Sequence, residues 1–498
     1  MRNPSVSELR ELGSVYRIRV GDDDGDRLKE LVGETLDGLA NLDEFAFGET
    51  APGGERTWRE PSSNPNNAVI TACDVPPAPD ADGSLDGLEI GVKDNIAVAG
   101  VPLTAGSEPL TSLIPAHDAT AIERLRRAGA RITAKTNLDE FASGGRATSH
   151  YGRITNPFDE SRIAGGSSGG SAVAVANGRV DAALGTDTGG SVRVPAAMCG
   201  LIGVKPTYGL VPLTGVIENT YTLDHVGPLT SDVDTAARVL EAIAGRDPSD
   251  SASMGAAGHR SYRVGGYVDA VESPPAPEDV TVGVLEEGVG DGVTHAVEAR
   301  TEETVERLAD AGVGVTSASL PSFGYVTAIK NAISCVELAA HWRAGAAAVR
   351  RNDRGDERLQ TAFSRLATQA SGNVTPHYRS KLLVGAQLLE QHHGRPYTRA
   401  QRARAVVLDE LESALSDVDV LVLPTIPDIA PRTKDASNPE PNPFRNTRLA
   451  NVTRAPAVSV PNGTVEGLPV GLQLVAEPFA DAELLGVANT VDSLVTLS

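Results

Sequence analysis

The chain has 498 residues, with 44 Lys+Arg against 66 Asp+Glu and a formal net charge of −22. That length calls for two or three lobes or one unusually large α/β core. An aromatic share of 4% offers few stacking platforms for single strands, and the acidic surface repels phosphate backbones, so no direct nucleic-acid contact is expected.

Residues 1–46 carry apolar side chains at helical spacing (Leu9, Leu12, Val15, then Leu28, Leu31, Val32, Leu36, Leu39) and read as two helices split by the acidic turn Gly21–Gly25. Residues 47–86 are rich in Pro, Gly, Asn and Asp and read as a loop-like wrap, so 1–70 is expected to be a helical N-terminal extension and 71–498 the main domain. From Leu88 the texture changes. Leu88–Val92 is a short apolar run, Ala119–Ala128 a helix ended by Gly129, and Ala130–Ala134 the next strand. Ser171–Ala176 is helical, Val180–Gly185 extended, and Leu201–Val204 extended again.

The alternation resumes with strands at Val280–Leu285, Val313–Ala318 and Val418–Leu423, separated by helices at His295–Ala311 and Arg402–Leu415. Strands at Ala457–Val460 and Leu468–Val475 and a closing helix at Asp481–Leu494 follow. Such alternation predicts an α/β layered sheet. Residues 320–400 break the rhythm with longer helical segments and read as an insertion or lid lobe.

Chemistry concentrates between Gly165 and Gly209, where two Gly-Ser clusters, Gly165–Ser171 and Gly189–Ser191, flank a small-residue helix and a strand. A flexible linker would not run at once into an apolar helix. A phosphate cradle fails because neither Gly-Lys-Ser/Thr nor G-x-G-x-x-G is present here. A nucleophile elbow needs a strand directly before its serine, and NPFDESRIA is no strand.

The pattern fits best as one divided site. Ser191 opens a helix through Arg193–Met198, and successive N–H groups at such a start form a nest for negative charge. The amides of Thr188, Gly189, Gly190 and Ser191 are the expected oxyanion donors for a carbonyl attacked by Ser191. The serine needs a base. No histidine sits in a Gly-Ser cluster, although a distant one stays open. Lys93 ends the Leu88–Val92 run, where α/β sites gather. Burial lowers a lysine pKa by up to ~3–5 units, enough to leave it neutral near pH 7 and able to take a proton from Ser191 through Ser167.

These stretches, with GVKDNIAVAGVPLTAGS, AKTNLDEFASGG, TLDHVGPLT and LPVGLQLVAEPF, closely resemble the amidase signature family over most of 87–232 and 450–490. The resemblance implies a large α/β/α fold with a mixed central sheet covered by helices. It also implies a Ser–cis-Ser–Lys triad of Ser191, Ser167 and Lys93, with a cis peptide at Gly166–Ser167. The implied reaction is amide hydrolysis through an acyl-enzyme, releasing ammonia or amine, with no metal or organic cofactor. Asp187, Arg193 and Ser168 are expected in support: the first two as an ion pair holding the loop, the third bonding the glycine loop. Cys199 reads as a small buried core residue.

Three functions follow from the resemblance. A stand-alone amide hydrolase is the main expectation, because TLDHVGPLT looks like free-standing amidases where the tRNA-linked relative typically carries Gln at the place of His225. The A subunit of an aminoacyl-tRNA amidotransferase, which releases ammonia from glutamine with partner chains, is the alternative, and AKTNLDEFASGG is close to it. An inactive binding relative is the third, and the intact triad speaks against it. Leu213–Thr222 and 320–400 are expected to wall the acyl pocket around a small-molecule amide, and a homodimer stays open.

Cys73, Cys199 and Cys335 are too few and too scattered for a disulfide framework or a metal site. No apolar run reaches the roughly 18 residues of a membrane span, and the first residues lack the apolar core of a signal peptide, so a cytoplasmic protein away from membranes is expected. Only seven cations are lysine (Lys29, Lys93, Lys135, Lys205, Lys330, Lys381, Lys434) and the rest are arginine. Excess carboxylate with little lysine suits a halophilic protein, whose self-repulsion salt screens. An ordinary acidic protein is the alternative.

Overall fold

Ser5 opens the first helix, Val6–Tyr16, with a reciprocal cap: its Oγ accepts from the Glu8 N–H at 3.3 Å while its own N–H donates to Glu8 Oε2 at 2.7 Å. A second helix, Gly25–Leu39, follows the acidic turn, where the Gly21 N–H donates to Asp24 Oδ1 at 2.8 Å. Both belong to a unit of their own, Met1–Ala51, while Pro52–Ser498 forms the other. In this computed structural model the described residues are 2–39, 55–146, 148–345, 357–369, 371–437 and 439–496.

The larger unit is built on twelve strands among the described residues: β1 (Thr57–Arg59), β2 (Val69–Val75), β3 (Glu89–Lys93), β4 (Arg131–Thr136), β5 (Ala182–Asp187), β6 (Ile202–Lys205), β7 (His225–Thr230), β8 (Thr281–Leu285), β9 (Gly314–Ala318), β10 (Val420–Pro424), β11 (Ala457–Val465) and β12 (Leu468–Val475). They form one mixed sheet in the order β1-β2-β4-β3-β5-β7-β6-β11-β12-β10-β8-β9. β4, β3 and β5 run parallel, as do β10, β8 and β9; the pairs from β5 to β10 are antiparallel.

β3 and β5 lie in the interior of the sheet, and helices cover its faces. Every residue of β5 is buried, which suits its small side chains Ala182, Ala183 and Gly185. The helix Gly169–Ala176 packs on β5 and β3 with a surface of Gly, Ala, Ser and Val that lets it approach closely. The helix Arg193–Cys199 packs on β11 and β12. β3 and β5 therefore deliver their C-terminal residues, Lys93 and Asp187, to the same edge.

Two expectations are corrected. The wrap at 47–86 contains β1, which pairs with β2, and β2, which also pairs with β4, so chain before residue 71 belongs to the sheet; 47–54 lie outside the described residues. Turn formers on both sides hid the run VITACDV. The helices Val326–Arg343, Glu357–Gln369, Pro376–Glu390 and Arg395–Ala414 fill the expected helical region, with 346–356 and 370 outside the described residues. The first of them is no separate lobe: Ile329 and Ile333 sit in a core cluster with Leu421 and Leu423 of β10. β7 was not foreseen, because Gly227 and Pro228 interrupt its apolar run. No described helix is long and apolar enough to cross a membrane.

Candidate active site

Lys93 closes β3 and is fully buried. Its Nζ donates to Ser167 Oγ at 2.8 Å and lies 2.7 Å from Thr186 Oγ1 and 3.3 Å from the Thr186 carbonyl on the neighbouring strand. Burial brings its pKa down to about 7, against the pull of Asp139, Asp187 and Asp224. Among the described residues none of these carboxylates forms an ion pair with it. Asp139 instead accepts the N–H groups of Gly145 (2.7 Å), Thr148 (2.7 Å) and Arg146 (3.3 Å), although burial still raises its pKa.

The peptide between Gly166 and Ser167 is cis. A Cβ at Gly166 would fall 2.1 Å from Asp139 Oδ2, so only glycine lets the loop lie against that carboxylate. Ser168 bonds both backbone groups of Thr186 on β5: its Oγ donates to the Thr186 carbonyl at 3.2 Å and lies 3.3 Å from the Thr186 N–H. The Ser168 N–H donates to the Ser191 carbonyl at 3.2 Å, which ties the two Gly-Ser clusters together. No hydrogen bond joins the Ser167 and Ser191 hydroxyls among the described residues. Such contacts commonly tighten only in a substrate complex.

Asp187 organises the turn before Ser191. Its carboxylate accepts the N–H groups of Gly190 (2.7 Å) and Val192 (3.1 Å), and Arg193 binds it through Nη2 (3.0 Å) and Nε (3.1 Å). Burial alone would raise the carboxyl, but the guanidinium and the Asn451 amide (2.8 Å) hold it well below the usual range. Arg193 also donates to the Thr447 carbonyl, Gln473 Oε1 and Asn451 Oδ1. Both side chains are excluded from solvent.

One expected oxyanion donor, the Gly190 amide, is corrected: its N–H already donates to Asp187 Oδ1 at 2.7 Å. The N–H groups of Thr188, Gly189 and Ser191 have no protein acceptor among the described residues. Gly190 has φ +126°, and a Cβ there would fall 2.0 Å from Thr447 Oγ1, which donates to the Gly189 carbonyl at 2.7 Å. Thr188 Oγ1 donates to Asp224 Oδ1 at 2.5 Å, fastening the turn to the loop 219–224.

Ser191 borders a cavity of about 220 Å³ together with Thr188 and Gly189, whereas Lys93 and Ser167 lie beneath it. Asn219 from the expected wall Leu213–Thr222, and Lys330 and Lys381 from the helical region, line the same cavity. A larger cavity, about 740 Å³, is lined by Tyr208, His259 and Phe479 and holds none of the three candidates. His225 is buried, donates from Nδ1 to the Asp187 carbonyl at 3.0 Å, and is held neutral first by burial and then by Lys205. It braces the loop and is no base for Ser191. Among the described residues no cluster of His, Cys, Asp or Glu could hold a metal.

Comparison with known proteins settles the family. The Amidase family profile matches residues 64–485. The chain belongs to the amidase family. It is 38% identical over 433 residues to the A subunit of glutamyl-tRNA(Gln) amidotransferase from Halobacterium salinarum (86% of this chain, 99% of that one), and 40% identical over 440 residues to its counterpart from Natronomonas pharaonis (86% and 100%). Among solved structures it resembles the A subunit of the Thermotoga maritima glutamyl-tRNA(Gln) amidotransferase (TM-score 0.67, 31% identity, 82% and 83% of the two chains) and peptide amidase of Stenotrophomonas maltophilia (TM-score 0.70, 30% identity, 84% of each). The mixed-sheet fold and amide C–N bond chemistry are those of this family.

Sequence reasoning about this amidase missed Thr186, Thr447, Asn451 and the cations Lys330, Lys381 and Arg448. One signal was available. In a chain that avoids lysine, four of the seven, Lys93, Lys135, Lys205 and Lys330, are buried, whereas Lys29 and Lys434 are exposed. Asn451 and Asn462, which open glycosylation sequons, are also buried, so neither can serve as an acceptor.

Proposed function

We propose that this amidase hydrolyses a carboxylic amide through an acyl-enzyme on Ser191, with Ser167 and Lys93 as the proton relay. The observation that carries this is the buried Lys93 amine, brought to about pKa 7 and bonded to Ser167 Oγ at 2.8 Å. Neutral Lys93 takes the Ser167 proton as Ser167 takes that of Ser191, and the Ser191 oxygen adds to the carbonyl carbon. The amides of Thr188, Gly189 and Ser191 receive the oxyanion. The relayed proton then passes through Ser167 to the leaving nitrogen, the C–N bond breaks, and ammonia or amine departs. Water, deprotonated by the same relay, cleaves the ester and restores Ser191. Ser191→Ala tests this: loss of activity by several orders of magnitude is expected, and a loss of only a few-fold overturns it.

The relatives favour the alternative over the stand-alone expectation: an amidotransferase component that releases ammonia from glutamine for a partner chain. The support is 38% and 40% identity over nearly the full length of two such proteins. Glutaminase activity measured with and without the partner chains decides it, since activity only in the complex supports the amidotransferase role. His225, standing where that relative typically carries Gln, favours the second reading, a free hydrolase.

The same proposal places the protein in concentrated salt inside the cell. The charge of −22 and the seven lysines support that setting.

A further inference from the structure

The cavity above Ser191 opposes the charge of the molecule around it. In a chain of net charge −22, its walls carry Arg146, Lys330, Lys381 and Arg448, with His377 among them and, among the described residues, a single carboxylate, the exposed Glu440. Among the described residues none of these four cations forms an ion pair. Lys330 Nζ donates to Ser334 Oγ at 3.3 Å, Lys381 Nζ to Ser143 Oγ at 2.9 Å, and Arg448 Nη1 to Thr327 Oγ1 at 2.9 Å: all neutral oxygens. Arg448 Nε is buried with no acceptor, and so is His377 Nε2.

Gathering one buried and three half-buried cations without counter-charge is costly. The cost shows in all three: burial lowers Lys330 to about 7, Lys381 to about 8 and Arg448 to about 10. The nearby carboxylates cannot discharge it. Asp139 is occupied by three backbone N–H groups, and Asp224 by Thr188 Oγ1 and the N–H groups of Asn219 and Thr220. Lys330 is also close to the reacting turn, since a Cβ built on Gly189 would lie 3.1 Å from its Cε and 3.8 Å from its Nζ.

We infer that the substrate is an anionic amide, whose acyl part carries a carboxylate held by Lys330, Lys381 and Arg448 and carries no free ammonium. The inference rests on the free-hydrolase reading above, not on the glutamine-using alternative, and narrows its substrate class. A carboxylate supplies the missing acceptor for these donors through charge-assisted hydrogen bonds. An α-ammonium would enter a wall of like charge, with only the exposed Glu440 to meet it among the described lining residues. The cavity, about 220 Å³, suits a short acyl chain. Concentrated salt cuts the reach of the acidic exterior to about 3 Å, so the outer charge does not turn such a substrate away.

The test compares three amides of equal chain length: glutaramate (anionic), glutamine (zwitterionic) and pentanamide (neutral). kcat/KM is expected to be about tenfold higher for glutaramate than for glutamine and about a hundredfold higher than for pentanamide. Lys330→Met is expected to lower glutaramate turnover about tenfold more than pentanamide turnover, and Lys330→Arg to restore most of it. Equal turnover of glutaramate and pentanamide, or glutamine as the preferred amide, overturns the inference. Calorimetric binding of glutarate to the Ser191→Ala variant separates the two claims. Glutarate binding that Lys330→Met abolishes, in an enzyme that hydrolyses no amide, removes the hydrolase reading and supports the anion site. Hydrolysis of neutral amides with no glutarate binding does the reverse.

Discussion

Arg193 and Asp187 meet at 3.0 Å in complete exclusion from solvent, and Arg193 spends its remaining donors on Thr447, Asn451 and Gln473. One guanidinium thus holds the turn before Ser191 against the chain 447–473. Arg193→Met leaves Asp187 buried and uncompensated. A loss of about 3–5 kcal/mol of stability is expected, read from denaturant unfolding; a change under about 1 kcal/mol would show that the turn does not depend on the pair.

Lys93 sets the pH dependence. Its folded pKa, about 7, is depressed from the ordinary lysine value of 10.5, so the free amine required of a base is lost as pH falls through 7. For a neutral amide, which does not draw on the charge of Lys330 and Lys381, kcat/KM is expected to rise about tenfold per unit below pH 7 and level off above it. Folding has the opposite preference to an ordinary lysine: below pH 10.5 the unfolded chain binds the extra proton, so this residue makes the fold more stable as pH rises from 7 toward 10.5. A limb with its midpoint near 10 would place the charged amine in solvent and remove it from the relay.

Lys93→Met tests the relay from the other side. The thioether fills the same apolar space without a proton to move. Activity is expected to fall by several orders of magnitude while the thermal midpoint holds or rises, because a costly buried amine has gone. Activity within tenfold of wild type would point to another base.

Gly190→Ala places a methyl 2.0 Å from Thr447 Oγ1 at φ +126°. The turn must open or Thr447 must give up its bond to the Gly189 carbonyl. A loss of about 100-fold in kcat is expected, and the double variant Gly190→Ala/Thr447→Gly should recover part of it. Full activity in the single variant would separate this turn from the oxyanion site.

Salt screens the carboxylates that the acidic surface brings together. Stability and activity are expected to rise from dilute buffer to molar KCl. Inactivation by molar KCl, with full activity in dilute buffer, would make the protein an ordinary acidic one.

The sequence by itself determined the α/β alternation and the three candidate residues. Lys93 at the end of an apolar run, and two Gly-Ser clusters bracketing a small-residue helix and strand, are local patterns that period and turn chemistry expose. Tertiary structure alone decided which amides are free around Ser191, because the acceptor of the Gly190 proton is a side chain fixed by Arg193 and Asn451, and Asn451 lies 264 residues from Asp187. It decided likewise that Lys330, Lys381 and Arg448, on three different helices, surround one cavity. Hydrophobic burial brings those helices together without regard to the charges they carry, so no spacing along the chain could announce the charge of the pocket.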